Sequence, residues 1–314
     1  IFLILTLICG IIAYFSSFYF NKGFNYLYII PFDKGLTISP YLDAFIDWIW
    51  ETFFYYLNAF NVFLLTSVLG PMKQSYLNMP VVSTLFLVTG AGFIIGGIRS
   101  ALVVFSLILF IALSEYWDRA LITLYMATFA VGVSAFFGIV VGTLCAQRDF
   151  STRSILSICD FFQTFPSFIY LIPVILLFGI TDTSVMIAAI VYASVPATRY
   201  TVEGLKSVPI SLHDAGSMSG VSKFQRWTNI ELPLAFPHIM LGINQTVIFA
   251  LFMIVLGALI GTEDLGQIIM GCLSRPNGAG IGLTLGIFIS FICLAVDNLI
   301  RTWADERKKM LGIE

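Results

Sequence analysis

From Val81 to Leu113 the chain carries a single charged side chain, Arg99, and from Ala120 to Gln147 it carries none. The stretch from Leu232 to Thr262 is also without Asp, Glu, Lys or Arg, as is that from Pro276 to Val296. About 20 apolar residues in a helix cross the hydrocarbon of a bilayer. There every backbone donor and acceptor must be satisfied inside the protein. Soluble domains carry roughly 25% charged residues, against 11% here with 59% hydrophobic residues and a mean hydropathy of +0.95. These runs therefore imply an all-α, polytopic membrane protein with most of its length in lipid.

Candidate spans fall near 1–20, 80–97, 99–114, 119–145, 164–180, 184–199, 237–260 and 281–299, a bundle of about 7–8 transmembrane helices. Residues 1–20 read as a span rather than a signal peptide, since no small-residue cleavage site is evident. The segment 21–79 is different. Asp43, Asp47 and Glu51 recur at every fourth position among Phe45, Ile46, Trp48, Ile49, Trp50, Phe53 and Phe54. One acidic stripe on an otherwise aromatic helix predicts an amphipathic segment lying in the membrane interface; a spanning helix is the alternative. Residues 80–300 form the main transmembrane domain, with a polar loop over 200–236, and 301–314 form a cytoplasmic tail.

Charge sets the orientation. With both termini inside, the cytoplasmic segments hold eleven basic residues: Arg99, Arg148, Arg153, Arg199, Lys206, Lys223, Arg226, Arg301, Arg307, Lys308 and Lys309. The outer segments hold five: Lys22, Lys34, Lys73, Arg119 and Arg275. That imbalance places the 200–236 loop in the cytoplasm. The arrangement requires a tight turn at 98–100 and leaves Lys22 on the unfavoured side of the first span. The net charge of −2 is spread too thinly to imply a partner. The cysteines Cys9, Cys145, Cys159, Cys272 and Cys293 form no CxxC pair and read as small buried hydrophobes.

The cytoplasmic loop has its own local logic. Pro209 precedes a helix start, and Ser211 with Asp214 has the spacing of a capping box. Gly220 is suited to the left-handed turn that closes the helix. Ser222 to Ile230 offers a second helical stretch, which Pro233 and Pro237 are expected to end. Helix, turn and helix make a rigid knob.

The loop reads Asp214-Ala215-Gly216, then Gly220, then Ile230-Glu231-Leu232-Pro233. This spacing resembles the EAA loop of binding-protein-dependent ABC transporter permeases, with Asp214 in place of Glu and Gly216 in place of the second Ala. A second run, Phe162-Gln163-Thr164-Phe165-Pro166-Ser167-Phe168-Ile169-Tyr170-Leu171-Ile172-Pro173, continues to Leu177-Phe178-Gly179. It resembles the subfamily that takes up glycine betaine, proline betaine and choline. Gly242-Ile243-Asn244-Gln245-Thr246 and Leu265-Gly266-Gln267 extend the likeness, which covers roughly 118–300. Glu263-Asp264 stand where that subfamily usually has a Gly pair.

The resemblance implies a type I ABC importer permease fold in a bacterial-type inner membrane. It implies ATPase coupling through Asp214, Ala215, Gly216, Gly220, Ile230, Leu232 and Pro233. It also implies a permease homodimer, two copies of an ATPase subunit that holds the ATP, and an extracytoplasmic solute-binding protein. Membrane lipid is the remaining partner, and no nucleic acid is expected. The solute would be glycine betaine or a related quaternary amine; taurine, dimethylsulfoniopropionate or an amino acid are alternatives within the class.

Candidates for the translocation path are Gln163, Pro166, Tyr170, Pro173, Asn244 and Gln245. Pro166 and Pro173 each remove a backbone bond and bend a span, either to shape a cavity or as static kinks. The three amides either face the path or bond neighbouring helices. Tyr170, Phe168 and Phe165 offer aromatic faces to a quaternary ammonium, or simply pack. No phosphate-binding GxxxxGK[ST], HExxH or nucleophile elbow occurs, so no catalytic residue, metal site or bound cofactor is expected on this chain. A stand-alone secondary transporter would need ionisable groups inside the spans, which are almost bare of them.

Overall fold

In a computed structural model, residues 6–8, 10–11 and 38–311 are described, with the side chains of 213–215 and 217 left aside. Of the expected 1–20 span, only residues 6–8 and 10–11 are described, all helical, and Cys9, Lys22 and Lys34 lie outside the described residues. All regular structure among the described residues is helical. The chain divides into two units, residues 1–52 and 53–314.

Helix α1 (Ser39–Phe63) carries the acidic stripe and buries no residue. It passes through a π turn at Leu64–Leu69 into α2 (Gly70–Leu77). The whole stretch Ser39–Leu77 is long and apolar enough to cross a membrane. The bundle then runs through α3 (Val81–Ala112), α4 (Trp117–Ala146), α5 (Asp149–Thr164), a 3-10 turn (Ser167–Tyr170), α6 (Leu171–Phe178) and α7 (Asp182–Lys206). Helices α8 (Ile210–Met218) and α9 (Lys223–Arg226) follow, then a π turn (Trp227–Glu231), α10 (Leu232–Gly257), α11 (Leu265–Leu273) and α12 (Ala279–Leu311). Six helical stretches among the described residues are long and apolar enough to cross a membrane, with α3 counted once, and seven if the bent pair of α5 with Ser167–Phe178 counts as one span.

Helix α7 is the centre of the bundle, packed against α4 and α10. Small residues let the backbones approach: a Cβ on Gly142 of α4 would lie 2.7 Å from the Thr201 Cβ of α7. Lipid gives no hydrophobic drive between helices, so such close packing carries much of their association.

Helix α3 reverses on itself. Gly96 and Gly97 leave helical geometry, with φ +66° at Gly97. A Cβ on Gly92 would lie 3.1 Å from the Cα of Ala101, whereas a straight helix separates residues nine apart by about 13.5 Å. The segment is a helical hairpin whose turn falls at 96–97, slightly before the 98–100 expected. Ser100 at its tip donates to Asn298 Oδ1 of α12 at 2.6 Å. The four described cysteines are free; Cys159 and Cys272 are buried and Cys145 and Cys293 half-buried.

Candidate coupling segment and translocation path

Helix α8 begins at Ile210, directly after Pro209. Ser211 therefore lies within the first turn rather than at the cap, which corrects the capping box expected at Ser211 and Asp214. Proline's fixed φ favours a start directly after it, two residues earlier than a Ser211 cap would give. The capping box forms instead at Ser222 and Gln225: the Gln225 N–H donates to Ser222 Oγ at 3.2 Å, and the Ser222 N–H to Gln225 Oε1 at 2.9 Å. Between the helices Gly220 adopts φ +74°, the left-handed conformation its place demanded.

Helices α8 and α9 are packed tightly. A Cβ on Gly216 would lie 3.0 Å from Ile230 Cδ1 and 3.4 Å from Arg226 Cγ. Arg226 Nε donates to Glu231 Oε1 at 2.9 Å across the π turn. Asp214 and Ala215 lie on α8. Leu232 and Pro233 open α10, so Pro233 does not end a helix as expected. The π turn before Pro233 shifts the backbone pairing by one residue and absorbs its missing N–H. Pro237 likewise lies inside α10. The knob exposes Ile210, Met218 and Phe224, with Met218 at 89%. These apolar side chains are scattered among polar ones along the loop, so no local sequence pattern marks the surface they form.

Above the loop, Arg199 of α7 pairs with Asp160 of α5 at 2.5 Å and with Glu203 at 2.9 Å, and donates to Gln163 Oε1 at 3.1 Å. Gln163 thus bonds a neighbouring helix. Lys206 pairs with Asp149 at 2.7 Å. The span then breaks by 105° between α5 and the Ser167–Phe178 stretch, with Pro166 in the gap, as a proline bend required. Pro173 behaves differently: in the first turn of α6 its missing N–H costs little, so it bends nothing there.

Tyr170 is buried, and its hydroxyl donates to the Phe162 carbonyl at 2.6 Å. Its ring joins a chain of rings that sequence order could not reveal. Phe165 lies 5.8 Å from Tyr170, Tyr170 5.4 Å from Tyr192, and Tyr192 4.9 Å from Phe249, which it stacks. Phe168 is outside that chain and 53% exposed. Asn244 is buried, its Oδ1 has no partner among the described residues, and it lines a cleft of about 210 Å³ with Met240, Ile300, Arg301 and Lys308. Gln245 beside it is half-buried.

At the opposite end, four elements meet in a polar cluster. Lys73 of α2 donates to Glu263 Oε2 at 3.2 Å and lies 3.8 Å from Asp182 Oδ2. Arg119 of α4 donates to the Glu263 carbonyl at 2.7 Å and to Gln267 Oε1 at 3.3 Å. Tyr125 donates to Asp182 at 2.9 Å. The hydrogen bond and charge of Lys73 hold the Glu263 carboxyl below its ordinary range.

Residues 138–308, more than half of the chain, match the family described as the inner membrane component of binding-protein-dependent transport systems. The chain belongs to this family. It is accordingly a multi-pass membrane protein with a type I ABC importer permease fold. Among curated permeases, the trimethylamine N-oxide transport system permease protein TmoV of Pelagibacter ubique (strain HTCC1062) is 60% identical over 309 residues, covering 98% of this chain and 43% of that protein. TmoV of Ruegeria pomeroyi is 38% identical, covering 82% and 39%. The chain thus spans less than half the length of these two relatives. The glycine betaine permease OpuAB of Bacillus subtilis is 29% identical, covering 87% of this chain and 96% of its own. A chain of the inward-facing MetNI methionine ABC transporter superposes with a TM-score of 0.51 at 20% identity, covering 62% of this chain and 97% of its own, a likeness of permease fold.

Proposed function

We propose that the chain forms the translocation path of an ATP-driven importer for a methylated-amine osmolyte, glycine betaine or a related amine such as trimethylamine N-oxide. The observation that carries this reading is the knob of α8 and α9, which presents Ile210, Met218 and Phe224 on the cytoplasmic face of a permease-family chain. An exposed apolar patch of this kind fits a protein partner. The partner is a separate ATPase, two copies of which hold and hydrolyse the ATP; no catalysis falls to this chain. An extracytoplasmic solute-binding protein delivers the solute, and a second permease copy completes the path. The relatives named for trimethylamine N-oxide and glycine betaine support the solute class.

Coupling runs through Asp214, Ala215, Gly216 and Gly220, with Ile230, Leu232 and Pro233 as the seat on which α8 rests. Because Gly216 sits against Ile230 and Arg226, a push on α8 passes into the π turn and α10 rather than being lost in a loose loop. The path takes in the break at Pro166 with Gln163, Tyr170 and Pro173, and Asn244 and Gln245 on α10. Alternating access then amounts to reorienting these broken and packed spans around a fixed site.

The test is uptake of radiolabelled glycine betaine and trimethylamine N-oxide by cells expressing the full-length protein with an ATPase and a binding protein. Gly220→Pro, which cannot adopt φ +74°, should abolish uptake with the protein still in the membrane. Uptake without an ATPase would overturn the importer class. Transport of only an unrelated solute would overturn the osmolyte assignment.

A further inference from the structure

The chain of rings runs through the bundle at the break in its bent span. It starts at Phe161 on α5, 5.5 Å from Phe165, and passes through Tyr170 to Tyr192 of α7, then to Phe249 and Phe252 of α10. No Asp, Glu, Lys or Arg occurs in 161–181, 183–198 or 232–262. A cation at this depth would therefore meet ring faces and no carboxylate. A hard metal ion needs several oxygen ligands, and a primary ammonium is a strongly hydrated point charge. A methylated ammonium, which has no N–H to satisfy and a charge spread over its methyl groups, suits aromatic faces.

Three features separate this set from ordinary packing. Phe161 and Phe252 are exposed, at 60% and 50%, so the chain of rings reaches open surface at both ends. The rings come from both sides of a helix break, the setting in which transporter spans build central sites. The third feature is the Tyr192 hydroxyl. The Tyr125 and Tyr170 hydroxyls donate to Asp182 and to the Phe162 carbonyl, whereas that of half-buried Tyr192 has no partner among the described residues. A phenylalanine would stack on Phe249 equally well. The Tyr192 oxygen is not sealed in the core, so its proton is open to an acceptor that enters beside the rings.

We propose that Tyr192, Phe249 and Phe252 are solute-contacting residues of the path, with ring faces for the methylated ammonium and the Tyr192 hydroxyl donating to the solute's anionic oxygen. The assignment rests on the importer reading above. It names a zwitterion as the cargo: a methylated nitrogen at one end and a carboxylate or N-oxide oxygen at the other.

The experiment is uptake of trimethylamine N-oxide and glycine betaine into proteoliposomes holding the full-length protein, its ATPase and its binding protein, with ATP hydrolysis followed in parallel. Phe252→Leu, which keeps bulk and removes the ring, should lower uptake about fivefold, and Phe252→Trp should retain it. Tyr192→Phe, which keeps the stack and removes the donor, should lower uptake about tenfold. In each case hydrolysis stimulated by the loaded binding protein should stay near normal, which reports a folded, coupled permease. Equal uptake by the Leu, Trp and wild-type proteins would overturn the ring assignment and leave the importer reading standing. Failure of the wild-type assembly to move any methylated amine would overturn both.

Discussion

The carboxyl of Asp264 is fully buried at the N-cap of α11. Its Oδ1 accepts from Thr262 Oγ1 at 3.0 Å and from the Gln267 N–H at 3.3 Å, while Oδ2 has no partner among the described residues. Burial pushes the carboxyl up to about 6, against hydrogen bonds from Thr262 and the backbone that pull it down. A raised pKa means that the folded state holds the proton more tightly than the unfolded one. The resulting stability is fully present below the unfolded value near 4 and is lost as pH rises through about 6, a swing of about 3 kcal/mol for two units. Glu263, with its pKa lowered, acts in the opposite sense and at lower pH. The thermal midpoint of the purified protein should therefore be higher at pH 5 than at pH 7.5. Asp264→Asn keeps a capping oxygen without the charge, so it should raise the midpoint at pH 7.5 and shrink that difference. An unchanged pH response in the variant would place the titration elsewhere.

Among the elements, the α8–α9 knob was the most legible, because its signals are local. A proline start, a glycine turn and the Ile230–Pro233 seat lie within one short stretch. The exact cap was not legible, since Ser211 and Ser222 both present capping spacings and only the backbone start at Ile210 decides between them. The π turns were not legible either. Each ends two residues before a proline, Pro71 or Pro233, and Pro233 reads from sequence as a helix end. The two glycines of the knob should respond oppositely to alanine. At Gly220 a Cβ in the left-handed region costs about 1 kcal/mol, so Gly220→Ala should loosen the turn and raise protease cleavage there. At Gly216 the nearest atom is the flexible end of Ile230, and alanine gains about 1 kcal/mol of helix propensity. Gly216→Ala should therefore preserve uptake and protect the segment. Loss of coupling in Gly216→Ala with normal expression would show that α8 cannot give way even by a few tenths of an ångström.

The whole molecule is organised by contacts that sequence distance hides. Lys73 and Glu263 are 190 residues apart, and Glu263 stood out in the sequence only as a departure from a glycine pair. No periodicity links it to Lys73 and Arg119. Those contacts nonetheless fix topology. Lys73 and Arg119 both reach Glu263, so they lie on one side of the membrane, and the chain between them must cross an even number of times. A single straight span over 81–112 would put them on opposite sides; the hairpin at Gly96–Gly97 satisfies the condition. Its tip bonds α12 through Ser100 and Asn298, near the basic end of that helix, which the positive-inside rule places in the cytoplasm. Single cysteines placed at Arg99 and at Glu263 in a background without native cysteines should therefore differ. A membrane-impermeant maleimide should label the Glu263→Cys protein in intact cells or spheroplasts and the Arg99→Cys protein only after permeabilisation. Labelling of Arg99→Cys from outside would remove the hairpin and, with it, the orientation that puts the α8–α9 knob in the cytoplasm.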